Sequence, residues 1–335
     1  MKTVLAIDMG NSYISIYKKN CGIVLKEPNL IAVSGSNSNY KIIAFGNEAK
    51  KLQGKTAENV VIFTPISEGE VKSREYLSAL LKHFLEKLEI NKLSKIKALV
   101  TIPCGISSQA KDVYRKTCFM AGIDEVRLIP SIIAGAVGSG RNIRGDSTAF
   151  IASFGGGVTE VAVLNLNSIV KGGTLAYGGR ALDVAIATAI AEKDQVLVGV
   201  SSAGKIKEEV GSLYENDTLN LEVSGVNVST KSPQNIIVFS KDIRSKLVEY
   251  VDEVLKLIET TLNLCPPEIS ADITQDGLLL VGGGSKLVGL AEYISRAIKM
   301  PCTVSDYAEN ATILGAGKLL SDEQELKAIL DNVGG

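Results

Sequence analysis

Two short segments, one near the start of each half of the chain, constrain the fold more than any other part. Asp8-Met9-Gly10-Asn11-Ser12-Tyr13-Ile14-Ser15-Ile16 reads as strand–turn–strand, and so does Ser153-Phe154-Gly155-Gly156-Gly157-Val158-Thr159-Glu160-Val161. In both, apolar and β-branched residues flank a turn of small or polar ones. A repeated hairpin is a weak constraint alone, because any two hairpins look somewhat alike. The surrounding pattern adds to it. Strand signals at Val4–Ile7, Tyr13–Tyr17, Gly22–Leu25 and Ile42–Phe45 precede helical periodicity over Ser73–Leu88 and Gln109–Ala121. Ala98–Ile102 and Val126–Ile129 read as buried strands, and Ile133–Val137 begins a helix of small residues. The pattern then restarts, with strands at Ser147–Ser153, Thr159–Leu164 and Gly277–Val281. Helices are expected over Ala181–Glu192, Ser202–Val210, Lys241–Leu264 and Lys286–Ile298. Strands mixed with helices predict an α/β fold with helices covering the sheets. A length of 335 residues fits one large domain or two lobes. Two similar lobes, each offering one hairpin to a shared cleft, satisfy both observations.

The turns suggest what such a cleft would hold. A tight turn between strands aims several backbone N–H groups one way, and such a nest binds phosphate oxygens. Gly10-Asn11-Ser12 and Gly155-Gly156-Gly157 are the candidate nests, with an ordinary hairpin as the plain alternative for each. Asp8, at the end of the first strand, is a candidate to hold Mg²⁺ through water, since hard cations take carboxylate and water oxygens. Gly282-Gly283-Gly284-Ser285-Lys286 follows an apolar strand and precedes an expected helix. Its glycines would let a flat base lie against the backbone, and a helix start favours anions. A plain strand-to-helix connection fits it equally well.

Other chemistries are excluded or unsupported. Gly138-Ser139-Gly140 lacks the dinucleotide spacing, and no Walker A lysine motif is present. His83 is the only histidine, which leaves neither a Ser-His-Asp set nor a zinc site. It falls on the polar side of its helix and is expected to be exposed. The five cysteines are scattered without CxxC spacing and read as free thiols in a reducing cytosol. Charge is balanced, 36 basic against 37 acidic residues, so no nucleic-acid partner is indicated. No apolar run reaches the roughly 18 residues that span a bilayer. No signal peptide is visible, and a cytoplasmic location is expected.

Taken together, an ordered series of segments carries a resemblance. It runs through Ala6-Ile7-Asp8-Met9-Gly10-Asn11-Ser12, Gly22-Ile23-Val24-Leu25-Lys26-Glu27-Pro28, Gly46-Asn47-Glu48-Ala49-Lys50-Lys51 and Gly54-Lys55-Thr56. It continues through Thr101-Ile102-Pro103, Ala121-Gly122, Gly155-Gly156-Gly157 with Thr159-Glu160-Val161-Ala162-Val163, and Gly178-Gly179. It ends with Pro266-Pro267-Glu268, Ala271-Asp272-Ile273, Gly282-Gly283-Gly284 and Leu314-Gly315-Ala316-Gly317. Over nearly the whole chain this series resembles the MreB family of bacterial actin-like proteins, within the actin/Hsp70/sugar-kinase superfamily. The resemblance implies an actin-like (ribonuclease H-like) fold of duplicated lobes, with four subdomains around a nucleotide cleft. Lobe I would cover residues 1–144, with a small subdomain within about 32–65. Lobe II would cover residues 145–335, with its small subdomain within about 181–240. The implied cofactors are ATP or ADP and Mg²⁺. The implied nucleotide-binding residues are Gly10, Asn11, Ser12, Tyr13, Gly155, Gly156, Gly157, Lys207, Gly282, Gly283, Gly284 and Lys286, with Asp8 at the metal. The implied partner is the protein itself, stacked head to tail into filaments beneath the membrane that organise cell shape. Other MreB paralogues are further partners.

The chain also departs from the family pattern. Two adjacent glutamates before a proline are replaced by Pro130-Ser131-Ile132, so the glutamate that positions the attacking water falls on Ser131. The second phosphate loop begins with Ser153 instead of Asp, and Val158 stands where a threonine follows the three glycines. Arg180 takes the place of Asp after the Gly-Gly pair, and Gly204 that of a glutamate near the ribose. A serine cannot orient water as a carboxylate does. Nucleotide binding through backbone nests survives such changes, whereas hydrolysis, which needs placed side chains, does not. No catalytic set is intact on this reading, and hydrolysis is expected to be slow or negligible. Such losses suggest a specialised paralogue like the divergent copies of wall-less helical bacteria, which are linked to shape and swimming. Ile90, Leu93 and Ile96, interleaved with Lys92, Lys95 and Lys97, form either a solvated connector or a contact with an anionic membrane. A sugar kinase would need a carboxylate base that is not evident, and a chaperone would need a substrate-binding segment after the lobes. A non-polymerising nucleotide-dependent adaptor of other filaments is the remaining alternative.

Overall fold

The computed structural model describes residues 2–36, 39–54, 59–91 and 93–333. Lys55, Thr56 and Lys92, named above, lie outside the described residues.

The first half builds strands β1 (Lys2–Met9), β2 (Tyr13–Lys18), β3 (Gly22–Pro28), β4 (Ile31–Ser36) and β5 (Asn39–Phe45), then helix α1 (Gly46–Leu52). Next come β6 (Val60–Phe63), β7 (Ile66–Ser67), β8 (Glu70–Val71), α2 (Arg74–Lys87), β9 (Lys95–Ile102), α3 (Ser108–Met120), β10 (Glu125–Pro130) and α4 (Ser131–Gly138). The second half builds β11 (Thr148–Phe154), β12 (Thr159–Asn165), β13 (Ser168–Leu175), α5 (Gly179–Asp194), β14 (Val196–Leu197), α6 (Val200–Val210), β15 (Asn220–Asn227) and β16 (Pro233–Phe239). It ends with α7 (Ser240–Asn263), α8 (Pro267–Asp276), β17 (Leu278–Val281), α9 (Leu290–Ile298), β18 (Cys302–Val304), α10 (Ala311–Leu319) and α11 (Glu323–Val333).

The duplication expected from the two hairpins extends to whole sheets. One five-stranded sheet runs β10-β9-β1-β2-β3 and the other β18-β17-β11-β12-β13. In both, a three-stranded antiparallel meander meets two parallel strands at its first member. The hairpin at the head of each sheet therefore occupies the same topological place. Smaller three-stranded sheets, β5-β4-β6 and β14-β15-β16, belong to the first and second halves respectively.

Packing follows the periodicity of the helices. The long helix α7 buries Ile243, Leu247, Val251, Val254 and Ile258 on one face, against the second sheet. Full burial of such side chains stabilises by about 1.5–3 kcal/mol each. Helix α2 does the same for the first sheet with Leu77, Leu80, Leu81 and Phe84. A third core sits between the two sheets, where Ala6, Leu99 and Ile129 meet Ile151, Ala162 and Val281 across helices α4 and α10. These helices cross so closely that a Cβ on Gly138 would stand 1.8 Å from Ala311 O, and one on Gly315 1.8 Å from Ala134 O.

Two expectations need correction. Lys286–Ile298 is not one helix. A 3₁₀ turn over Gly283–Lys286 ends, Gly289 takes a left-handed φ of +80°, and α9 starts afresh at Leu290. His83 is not simply exposed. It is half-buried, and its ring stacks on Phe45 with centroids 4.4 Å apart. Burial, with Lys87 beside it, pulls its pKa below the usual value.

Candidate functional site

Each hairpin turn holds four residues between its last paired positions. Met9 pairs with Ile14 across the first, and Phe154 with Thr159 across the second. Both begin with a glycine for the same reason: a Cβ on Gly10 would meet Tyr13 O at 2.6 Å, and one on Gly155 would meet Val158 O at 2.7 Å. The tips abut. A Cβ on Gly156 would lie 2.0 Å from Ser12 Oγ, and one on Gly157 2.3 Å from Asn11 Cγ. The third glycine segment reaches the same place from the side. Gly282, with φ +85°, lies so close to β11 that a Cβ would stand 2.4 Å from Phe154 O. Gly10, Asn11, Ser12, Gly155, Gly156, Gly157, Gly282, Gly283 and Gly284 are thus brought together as one backbone-lined cradle. A side chain at these glycines would collide with it or partly fill it, and backbone N–H groups there suit phosphate.

Polar side chains fix the tips. Asn11 Oδ1 accepts from Gly69 N at 3.0 Å, and Asn29 Nδ2 donates to Asn11 O at 3.1 Å and Ile66 O at 2.9 Å. From the other half, Gly179 N donates to Gly155 O at 3.0 Å and Arg180 N to Gly156 O at 2.8 Å, docking the start of α5 on the second turn. Lys207 Nζ donates to Gly179 O at 2.8 Å and Asp183 Oδ1 at 2.5 Å, so it braces this start. Gly204 lies beside the same pair, its absent Cβ 3.2 Å from Asp183 Oδ2. Tyr13, 40% exposed, stands at the rim with Lys26 and Lys50 each 5.6 Å from its ring centre. Lys286 is on the exposed side of its turn, paired with Glu309 at 2.7 Å.

Two carboxylates lie inside. Asp8 Oδ1 accepts from Thr101 Oγ1 at 2.6 Å. Burial pushes its pKa up, against the opposing pull of that hydrogen bond and of Lys26. Glu160, 3% exposed, accepts from Ser131 Oγ at 2.5 Å and from Cys104 N at 2.7 Å. Burial raises its pKa too, and the charge of Asp8 adds to the rise. Ser153 sits directly opposite Glu160 in the β11–β12 ladder. Val158 is buried, and a Cβ on Gly69 would stand 3.1 Å from its Cγ1. Glu160, Thr101 and Asn29 were not singled out from the sequence. The signal for Glu160 was available: an acid inside the apolar run Val158–Leu164.

The cradle fits a nucleotide, whose phosphates need N–H donors and whose base needs a flat glycine surface. Among the described residues there is no group of three or more His, Cys, Asp or Glu side chains that could hold a metal ion. The buried carboxylate of Asp8, close to the first turn, is of the kind that suits a hydrated divalent cation.

Comparison with known proteins agrees with this frame. The model of a family described as MreB/Mbl protein matches residues 2–328. The cell shape-determining protein MreB of Escherichia coli K12 is 30% identical over 321 residues, covering 94% of this chain and 92% of the relative. The solved structure of MreB5 of Spiroplasma citri bound to ADP superposes with a TM-score of 0.91 at 23% identity, covering 98% of each chain. The MamK double helical filament superposes with a TM-score of 0.80 at 18% identity, covering 96% of this chain and 99% of that one. The two structural likenesses identify the fold as actin-like. The match in sequence runs through both hairpins and the third glycine turn, and this chain therefore belongs to the MreB/Mbl family.

Proposed function

We propose that this chain binds ATP and ADP with Mg²⁺ and polymerises head to tail into cytoskeletal filaments that govern cell shape, with weak or lost ATP hydrolysis. The observation that carries the nucleotide reading is the convergence of three glycine segments on one cradle. On this reading the two hairpin tips hold phosphates and Gly282–Gly284 carries the base, with Tyr13, Lys207 and Lys286 around the rim. Asp8 holds the hydrated cation, which when bound neutralises phosphate charge. The cradle lies between a first lobe of residues 1–144 and a second of 145–335. Their smaller parts lie within about 32–65 and 181–240.

Weak hydrolysis follows from the side chains. Ser131 spends its hydroxyl on Glu160, and both oxygens of Glu160 already accept hydrogen bonds inside the protein. Ser153 offers no carboxylate, and Val158 no hydroxyl, in the places where the family has them. Filament formation rests on family membership and on the filament fold of MamK. Head-to-tail stacking is a heterologous contact that propagates without closing. Roles in helicity or motility, and co-assembly with MreB paralogues, are further parts of this reading.

A cytoplasmic position at the inner face of the membrane completes it. No described helix is long and apolar enough to cross a membrane. Leu93, 88% exposed between Ile90 and Ile96, is the side chain best placed for a peripheral contact.

Phosphate release and high-speed sedimentation, measured together with Mg-ATP and with a non-hydrolysable analogue, test the whole. Pelleting with little phosphate release is expected. Brisk release would remove the hydrolysis claim, and absence of pelleting with either nucleotide would favour the adaptor.

A further inference from the structure

The side chain of Arg180 has no place in the chemistry described so far, yet it spans the cradle. Its backbone is docked on the second turn through the bond to Gly156 O. Its guanidinium reaches the first turn, where Nη1 donates to Asn11 O at 3.0 Å and Nη2 donates to Thr64 Oγ1 at 2.9 Å. Both acceptors are neutral. Among the described residues no carboxylate pairs with it. The nearest acid on its own helix, Asp183, is held by Lys207 at 2.5 Å. Burial lowers the pKa of Arg180, with Asp183 a weaker opposing influence. A half-buried guanidinium without a counter-ion is costly, and such groups are ordinarily paired. Two of its five N–H donors are used on the first half, and the fork geometry suits a further oxyanion.

We propose that Arg180 is a phosphate-binding residue of the nucleotide cradle, with the phosphate chain as its missing counter-ion. This rests on the nucleotide reading above and deepens it: the cradle carries a fixed positive charge of its own. Two consequences follow. Binding of ADP should depend less on Mg²⁺ than a cradle of backbone N–H groups alone would require. The guanidinium, already tied to Asn11 and Thr64, should join the two halves more firmly when the anion is present.

The test uses titration calorimetry on the full chain with ADP, AMPPNP and adenosine, each in Mg²⁺ and in EDTA. Arg180→Gln is expected to weaken ADP and AMPPNP by about tenfold, the size of one charge-assisted hydrogen bond. It should leave adenosine unchanged and make ADP binding more dependent on Mg²⁺. Arg180→Lys keeps the charge but loses the fork, and should fall between Gln and wild type; it serves also if Arg180→Gln does not fold. Equal weakening of adenosine and ADP by these variants would mean that Arg180 only ties the halves together, and would overturn the proposal. So would unchanged ADP affinity in both variants. If the wild-type chain binds none of the three ligands, the nucleotide reading itself falls.

Discussion

The two hairpins share a backbone and differ in where they keep their acid. Across the first sheet, one row of paired residues reads Thr101, Asp8, Ser15, Lys26. The equivalent row of the second sheet reads Val281, Ser153, Glu160, Thr174. In the first the carboxylate is on the strand that enters the turn, held by Thr101, with a cation further along the row. In the second the entering strand has serine and the leaving strand has the acid, which is tucked under Ser131 and the Cys104 amide. The backbone turn proposed to bind phosphate is thus duplicated, and the side chains that would act on it are not. Binding and catalysis can part company in one fold because the first draws on N–H groups that any sequence supplies. The second draws on a few placed carboxylates.

The largest test of this contrast places new acids around the second hairpin. Ser131→Glu combined with Ser153→Asp should raise steady-state phosphate release by about a hundredfold, the usual worth of a positioned acid–base group. An unchanged rate would show that these positions do not limit hydrolysis. The next test asks whether the backbones are as equivalent as they look. Gly10→Ala and Gly155→Ala each force a Cβ to within 2.6 and 2.7 Å of a carbonyl oxygen. Each should lower stability by a similar amount, about 1–3 kcal/mol as for other overpacked sites, read from urea unfolding. A large difference between them would break the equivalence.

A smaller effect is expected at the first acid. Asp8→Asn should weaken ADP binding by about tenfold in Mg²⁺, consistent with loss of one charged contact, and by much less in EDTA. Equal weakening in both would remove Asp8 from the metal.

The smallest effect concerns pH. Burial raises the pKa of Glu160 above its ordinary 4.5, so the folded chain keeps a proton that the unfolded chain has lost. Stability is then greatest at or below the unfolded value and declines as pH rises through the folded one. Glu160→Gln should flatten that decline and narrow or reverse the gap to wild type at pH 8 relative to pH 5, as read by Tm. Parallel pH curves for the two proteins would mean that Glu160 stays ionised in the fold.

The parts of the site legible in the sequence were those encoded by neighbours along the chain. Gly10-Asn11-Ser12 and Gly155-Gly156-Gly157 stood out because a tight turn needs small residues in a row, and α7 because its apolar residues recur at helical spacing. The helix expected over Lys286–Ile298 failed because Gly289, in a left-handed conformation, interrupts a continuous apolar periodicity. The expected exposure of His83 failed because Phe45, far away in sequence, covers its ring.

What the sequence determined by itself was the family, the duplicated α/β frame and the three glycine turns. Each rests on local composition or on an ordered series of short motifs. What only the tertiary structure decided was who faces whom: Ser131 against Glu160, Lys286 against Glu309, Lys207 against Asp183, and Arg180 reaching Asn11 and Thr64. Several of these partners lie tens to more than a hundred residues apart. No local pattern records them, because a cross-strand register or a contact between halves is fixed only when whole sheets pack.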